Sequence, residues 1–215
     1  MRIDGYFDIV CPFSFLAKRN LDRALADHPG LGVPGLGVEV RLHPHMLYPH
    51  IPLESHDFRA FFVGRYGEEL RVPMWERVTE MGRRVGIAFN FHGISKGPHS
   101  IHAHRLVAFA AREGKQSAVL NAVYSAFFEQ GRDVGDHDVL AAIAADQGLD
   151  AEAVRRFLAG RDLFAEIFEA TYRQSAAGIN AMPTHFLDGR RLSGEAEPGT
   201  FDRLFRAAGT ARLAG

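Results

Sequence analysis

The order of strand-like and helix-like segments constrains this chain more than any other feature. Residues 3 to 10, Ile-Asp-Gly-Tyr-Phe-Asp-Ile-Val, are aromatic and β-branched and break off at Cys11-Pro12, which reads as a buried strand. Proline suits the first helical position, and Ala17, Leu21, Ala24 and Leu25 continue an apolar stripe at helical spacing as far as His28-Pro29-Gly30. A Gly/Pro-rich stretch from Pro29 to Gly37 leads into Val38-Glu-Val-Arg-Leu42, whose strict alternation is a second strand. This βαβ unit predicts a parallel strand pair with a right-handed crossover. The chain then turns helical for a long run: 57–66, 73–85, 98–113, 116–129, 136–147, 151–158 and 161–177. Gly114, Gly131, Gly148, Gly160 and Gly178 read as helix stops, and Asp136 and Asp150 as N-caps. Strand character returns at Thr184-His-Phe-Leu-Asp188. Asp188-Gly189 is a hairpin signal into Arg191-Leu-Ser193, and a last helix starts near Pro198. Neither flanking piece has enough strands to bury a sheet alone. The pattern predicts one discontinuous α/β domain, 1–48 and 176–215, interrupted by an all-helical insertion, 49–175.

Charge and cysteine content narrow the function. Lys and Arg number 25 against 26 Asp and Glu, a formal charge of -1 with no basic block, which is the wrong footprint for a nucleic-acid or anionic-membrane binder. No window has the apolar length of a membrane span, and Met1-Arg2-Ile3-Asp4 lacks a secretory apolar run, so a cytoplasmic location is expected. The one cysteine, Cys11, excludes a disulfide framework; in a reducing compartment such a residue is catalytic, ligating or simply buried.

Cys11 sits where a strand hands over to a helix N-terminus. Unpaired N–H groups and the positive end of the helix dipole favour a thiolate there, and such cysteines titrate between about 3.5 and 7.5 rather than near 8.5. Cys11 is therefore the candidate nucleophile, weighed against a cysteine used as a small buried hydrophobe. Ser14 lies one helical turn on: its hydroxyl can steady the sulfur anion but cannot close a disulfide. Asn180-Ala-Met182-Pro183-Thr184 precedes the returning strand, the position in which a cis-proline would face the active thiol and offer its neighbour's backbone to a substrate.

The chain resembles the DsbA-like thioredoxin superfamily, and within it the FrnE-like proteins, named for a frenolicin (polyketide) biosynthesis protein. The resemblance rests on Asp8-Ile-Val-Cys-Pro-Phe-Ser-Phe-Leu-Ala-Lys-Arg-Asn-Leu21, Ala103-His-Arg-Leu106, Glu129 to Leu140, Gly178-Ile-Asn-Ala-Met-Pro-Thr184 and Asp188 to Gly194. It implies a thioredoxin-like fold with a large helical insertion, Cys11 as the nucleophile and Pro183 as the cis-proline; Ser14, from its place one turn beyond Cys11, is the second expected catalytic residue. Hydroxychromene-carboxylate isomerases and kappa-class glutathione transferases share that fold and carry a serine-based motif. Two departures stand out. Redox members of the family have a second cysteine where this chain has Ser14, and similar proteins have Phe and Asn at the places of His45 and Tyr48.

Three activities follow from the resemblance. The first is a thiol oxidoreductase using Cys11 with an external thiol; the second is a thiol-assisted isomerase or transferase of a small aromatic or polyketide-like molecule; the third is a non-catalytic peptide-binding or holdase module. The expected substrate-contacting residues are Pro12, Phe13, His43, His45, Met182, Pro183 and Thr184. No tightly bound cofactor is expected, glutathione or another low-molecular-weight thiol being the partner, and similar proteins pair as homodimers.

The histidines invite a metal site through His43 and His45, His50 and His56, or His99, His102 and His104, but only pairs are visible where three or four convergent ligands are needed, so none is expected. They read as polar loop residues, with His104 in a packing role. His185 can face either side of its strand. Phe58, Phe61, Phe62, Phe127, Phe128, Phe164 and Phe168 fall at helical spacing and read as core. Asp133 to Asp138 reads as loop and capping chemistry rather than a calcium ladder.

Overall fold

The computed structural model describes residues 1–28, 37–192, 197 and 199–213, with side chains to residue 207. The Pro29 to Leu36 part of the glycine- and proline-rich stretch, Ser193, Gly194 and Pro198 lie outside the described residues. Strand β1 (Arg2–Phe7) is the centre of the main sheet. It pairs in parallel with β2 (Glu39–Pro44), reached through helix α1 (Pro12–Asp27), as the βαβ reading requires. Far down the chain, β5 (Thr184–Leu187) returns antiparallel on the other side of β1 and is followed by β6 (Arg190–Arg191), giving the order β2-β1-β5-β6. The β5–β6 turn is built by Asp188 at φ 47° and Gly189 at φ 83°, the paired left-handed residues of the anticipated Asp-Gly hairpin. Strand alternation then sorts the side chains. Ile3 packs with Leu21 and Ala24 of α1 and with Phe201 and Phe205 of the closing helix (Thr200–Leu213), whereas Tyr6 points to the other face.

Between β2 and β5 the chain forms a short ladder and seven helices. β3 (His56–Asp57) pairs antiparallel with β4 (Lys96–Gly97), flanking α2 (Phe58–Tyr66) and α3 (Glu68–Arg84). Helices α4 (Ile101–Ala111), α5 (Gln116–Phe128), α6 (His137–Asp146), α7 (Ala151–Ala159) and α8 (Phe164–Ala176) follow, and the closing helix is α9. The anticipated caps are present: Asp136 accepts from the N–H groups of Asp138 and Val139, and Asp150 from those of Glu152 and Ala153. Two details differ from expectation. Helix α3 starts at Glu68, so Pro73 lies inside it rather than opening it. Gly160 ends α7 at φ -76°, without the left-handed turn that Gly114, Gly131, Gly148 and Gly178 supply. The main apolar core is continuous from Phe7, Ile9, Phe15 and Leu16 into Trp75, Phe91, Tyr124, Phe127 and Phe128, so the helical block and the sheet share their largest buried surface. Fully buried Arg105 fastens α4 to the end of α7, donating to the carbonyls of Phe157, Leu158, Gly160 and Asp162.

Candidate active site

The site begins with the turn between β1 and α1. Cys11 occupies the N-cap position in extended conformation, at φ -98° and ψ 111°, with Pro12 opening the helix. Its side chain makes no cap bond; instead Sγ donates to the Met182 carbonyl at 3.3 Å, and the Met182–Pro183 peptide is cis. Two segments 171 positions apart are thus brought together, and with Ile179 they form a small apolar cluster packed on by Tyr6, Phe13, Leu47 and Phe186.

Behind the thiol lies a buried polar network with Asp8 at its hub. The Asp8 N–H donates to Ser14 Oγ at 3.4 Å, and its carbonyl accepts from the Cys11 N–H at 3.2 Å and the Tyr124 hydroxyl at 3.3 Å. Its carboxylate accepts from the Leu47 N–H at 2.7 Å and contacts His104 Nε2 at 3.0 Å. Asp8 and His104 are both fully buried. Burial by itself would raise the Asp8 pKa, but the His104, Leu47 and Ser100 hydrogen bonds hold it below the usual carboxylate range. His104 is therefore not mere packing: its ring nitrogen is a hydrogen-bond partner of a buried carboxylate.

The expected thiolate is corrected by this environment. Cys11 is 5% exposed, and burial pushes its thiol up to about 11. The Ser14 hydroxyl and the N–H groups of Ser14 and Phe13 act in the opposite direction but do not offset the desolvation, and the nearby Asp8 charge adds to the rise. Ser14 is where the sequence placed it, beside the sulfur.

A cavity of about 340 Å³ opens against Cys11. Of the residues expected to contact a substrate, Pro12, Phe13 and Met182 line it. Phe58, Phe61 and Phe62 of α2 and Phe127 and Phe128 of α5 form much of the wall, so aromatic residues assigned to the core also face an internal space. Tyr48, one of the two positions at which the chain departs from similar proteins, is on the wall, as are His56, Tyr66 and Trp75, which the sequence did not single out as substrate contacts. Tyr48 and Tyr66 join their hydroxyls at 2.7 Å, and Phe61 packs edge-on to Tyr48. His56 comes within 2.6 Å of where a side chain on Gly97 would begin, which explains a glycine in β4.

His43 and His45 are not on that wall. His43 Nε2 contacts Asp4 at 2.9 Å and its ring stacks on Tyr6, while His45 is buried with Nδ1 against Gln174 at 2.8 Å. Pro183 and Thr184 also lie off the wall; the Thr184 hydroxyl donates to the Ala181 carbonyl and accepts from Arg191. The histidines are less loop-like than expected, since His45, His99, His104 and His185 are all buried. His185 packs against Phe201 and over Gly5. Among the described residues no group of three or more His, Cys, Asp or Glu side chains converges as a metal site would require. None of the described helices is long and apolar enough to cross a membrane.

Comparison with known proteins bears directly on this arrangement. The model of the DsbA-like thioredoxin domain matches residues 2–206. The chain belongs to the DsbA-like thioredoxin family. Its members include oxidoreductases and isomerases, and the chain is an enzyme of that thiol–disulfide or isomerase type. It is 27% identical over 207 residues to the Bacillus subtilis protein YwbO, covering 94% of each chain. It is 24% identical over 211 residues to 2-hydroxychromene-2-carboxylate isomerase of Pseudomonas putida, covering 95% of this chain and 91% of that one. Among solved structures it is similar to a probable DsbA oxidoreductase of Streptomyces coelicolor, with a TM-score of 0.82 and 26% identity, covering 98% of this chain and 90% of that one. The thioredoxin-like fold with its helical block is therefore shared by relatives on both the redox and the isomerase side.

Proposed function

We propose that the protein is a single-cysteine thiol enzyme acting on a small, largely apolar aromatic molecule, by transient addition of Cys11 to an electrophilic carbon and isomerisation of the adduct. The observation that carries this reading is the aromatic-walled cavity against the thiol, whose 340 Å³ falls within the range of small-molecule sites and whose wall offers stacking faces. In the addition step the S–H proton leaves, an S–C bond forms and a carbon–carbon π bond opens. Protonation of the neighbouring carbon leaves a single bond about which the adduct rotates. Reversal expels the sulfur and restores the double bond in the other geometry, with no net oxidation. The high resting pKa of Cys11 keeps the thiol protonated and inert toward adventitious oxidants, and the Ser14 hydroxyl with the Phe13 and Ser14 N–H groups provides the stabilisation the anion draws on during reaction.

A second reading is favoured by the Met182 carbonyl against Sγ. A backbone acceptor at that point suits a disulfide substrate laid beside the cis-proline segment. Cys11 would attack one sulfur, release the other as a thiol, and be freed by an external thiol such as glutathione, because Ser14 cannot resolve the mixed disulfide. The two readings part in a turnover assay. With a conjugated aromatic ketone as substrate, cis–trans interconversion should be catalysed by the intact chain and lost in Cys11→Ser. Catalysed thiol–disulfide exchange with no interconversion would favour the second reading, and unchanged turnover in Cys11→Ser would refute both.

A further inference from the structure

The cavity wall is unusual in what it lacks as well as in what it offers. It contains no Asp, Glu, Lys or Arg side chain among the described residues. Burial holds the pKa of His56 below its ordinary value, disfavouring its charged form, with the Asp57 and Asp133 charges acting the other way. Its Nδ1 is buried without a hydrogen-bond partner among the described residues. The same is true of Trp75 Nε1, on a side chain only 6% exposed. An indole N–H is a donor only, and a buried donor left unpaired is costly, so it calls for an acceptor. Of the two hydroxyl hydrogens on Tyr48 and Tyr66, one is used between them and the other is free to donate. Two guanidinium groups lie over wall rings without being part of the wall: Arg65, solvent-exposed, over Tyr48 at 4.8 Å, and Arg71, buried and already paired with Glu68 at 2.6 Å, over Trp75 at 4.9 Å.

We infer that the cavity accepts an uncharged conjugated aromatic ketone, whose rings stack among Phe61, Phe62 and Phe128 and whose carbonyl oxygen is received by the Trp75 N–H. This names the substrate class of the site proposed above and rests on that reading. A carboxylate entering the same space would shed its water with no opposite charge on the wall to replace it, whereas a ketone oxygen needs only a donor. The donor also fits the chemistry. When Sγ bonds to the carbon β to the ketone, the π electron pair moves toward the carbonyl oxygen, where the N–H steadies the developing charge. The thiol proton passes to solvent and one from solvent completes the enol or ketone; expulsion of sulfur reverses each change.

Benzylideneacetone and trans-cinnamate share a styryl skeleton and differ in bearing a methyl ketone or a carboxylate, which makes them the matched probes. Trp75 is the chain's single tryptophan and lines this cavity, so its fluorescence responds to a ligand bound there. Titrated into Cys11→Ala, to keep binding non-covalent, benzylideneacetone should give a saturable change and bind at least tenfold more tightly than cinnamate. Calorimetry on Trp75→Phe in that background should show benzylideneacetone weakened about tenfold, the effect of one lost hydrogen bond. Cinnamate binding as tightly as the ketone, no binding of either probe, or an unchanged affinity in Trp75→Phe would each overturn the inference. Should Trp75→Phe fail to fold, the discrimination between the two probes decides alone. The underlying reading fails separately: selective ketone binding with no Cys11 adduct in the intact chain would retain the ligand class and remove the covalent chemistry.

Discussion

Replacing Ser14 by alanine removes one of the few groups that favours a thiolate at Cys11, and the size of the effect can be worked from the turn itself. Burial sets the thiol at about 11, and it does so against the Ser14 hydroxyl and the N–H groups of Ser14 and Phe13. A hydrogen bond to a charged group in a buried site is worth about 1.5–3 kcal/mol, and about 1.4 kcal/mol corresponds to one pKa unit. Ser14→Ala should therefore raise the thiol by about one to two further units and slow alkylation at a fixed pH near 9 by about 10- to 100-fold. The chain has a single cysteine, so the rate of iodoacetamide addition followed by intact mass against pH reads this residue alone. The wild-type midpoint has a consequence for stability as well. Because the folded pKa lies above that of an unfolded cysteine, the folded state keeps its proton where the unfolded state loses it; the associated stability is whole below about pH 9 and falls away as pH rises through about 11. A shift of about two units corresponds to roughly 2–3 kcal/mol. The Asp8 N–H also loses its acceptor in the variant, so a modest loss in denaturant midpoint accompanies the change. An alkylation profile in Ser14→Ala that coincides with wild type, or moves to lower pH, refutes the assignment of Ser14 as the group that steadies the sulfur anion.

Other consequences can be checked independently. Ser14→Cys restores a Cys-x-x-Cys pair one helical turn apart, so mild oxidation should consume both thiols and the reduced form should catalyse dithiol exchange that the parent does not; free-thiol titration distinguishes the outcomes. Asp8→Asn removes a charge that raises the Cys11 pKa, so the alkylation profile should move to lower pH even as the fold weakens through loss of the His104 contact. In the parent chain, Asp8 has a depressed pKa, so its stabilising contribution is present above the unfolded carboxylate value near 4 and disappears as pH falls through the folded one, visible as an acid-sensitive melting temperature that Asp8→Asn lacks. Arg105→Leu leaves the carbonyls of Phe157, Leu158, Gly160 and Asp162 without their donor and should cost about 3–5 kcal/mol in chemical denaturation.

Much of the fold was legible because its signals are local. A helix opened by Cys-Pro, an Asp-Gly hairpin and aspartate N-caps each depend on a few adjacent residues, and all three stand as read, whereas the first strand stops at Phe7 and Asp8 to Val10, read as its continuation, turn the chain toward Cys11. The two-residue β3–β4 ladder was not legible: neither segment is long enough to show alternation, and pairing His56 with Gly97 is a tertiary event. The start of α3 was misplaced for a related reason. Pro73 looks like an opening residue from its own chemistry, but Gly67 at φ 87° turns the chain into the helix earlier, with Glu68 and Glu69 in the first turn.

The site divides in the same way. Cys11, Ser14, Met182 and Pro183 stood out through their short motifs. The wall of the cavity did not, because an aromatic residue at helical spacing has the same pattern whether it faces another side chain or an empty volume; Phe61 and Phe128 are examples. Asp8 and His104 were each within recognised segments, but a contact across 96 positions leaves no trace in spacing. The thiol pKa was misjudged because the helix N-terminus is visible in sequence while the burial that opposes it is not.

The central claim is that Cys11 acts on a molecule held in the aromatic cavity beside it. Its most direct test is intact-mass analysis of the folded chain with benzylideneacetone, before and after dilution. The account predicts one equivalent of adduct, on Cys11, that is lost on dilution and is blocked by a non-reactive saturated analogue occupying the cavity. An adduct that forms no faster in the folded chain than in the denatured chain at the same pH, or that the saturated analogue does not suppress, would contradict it.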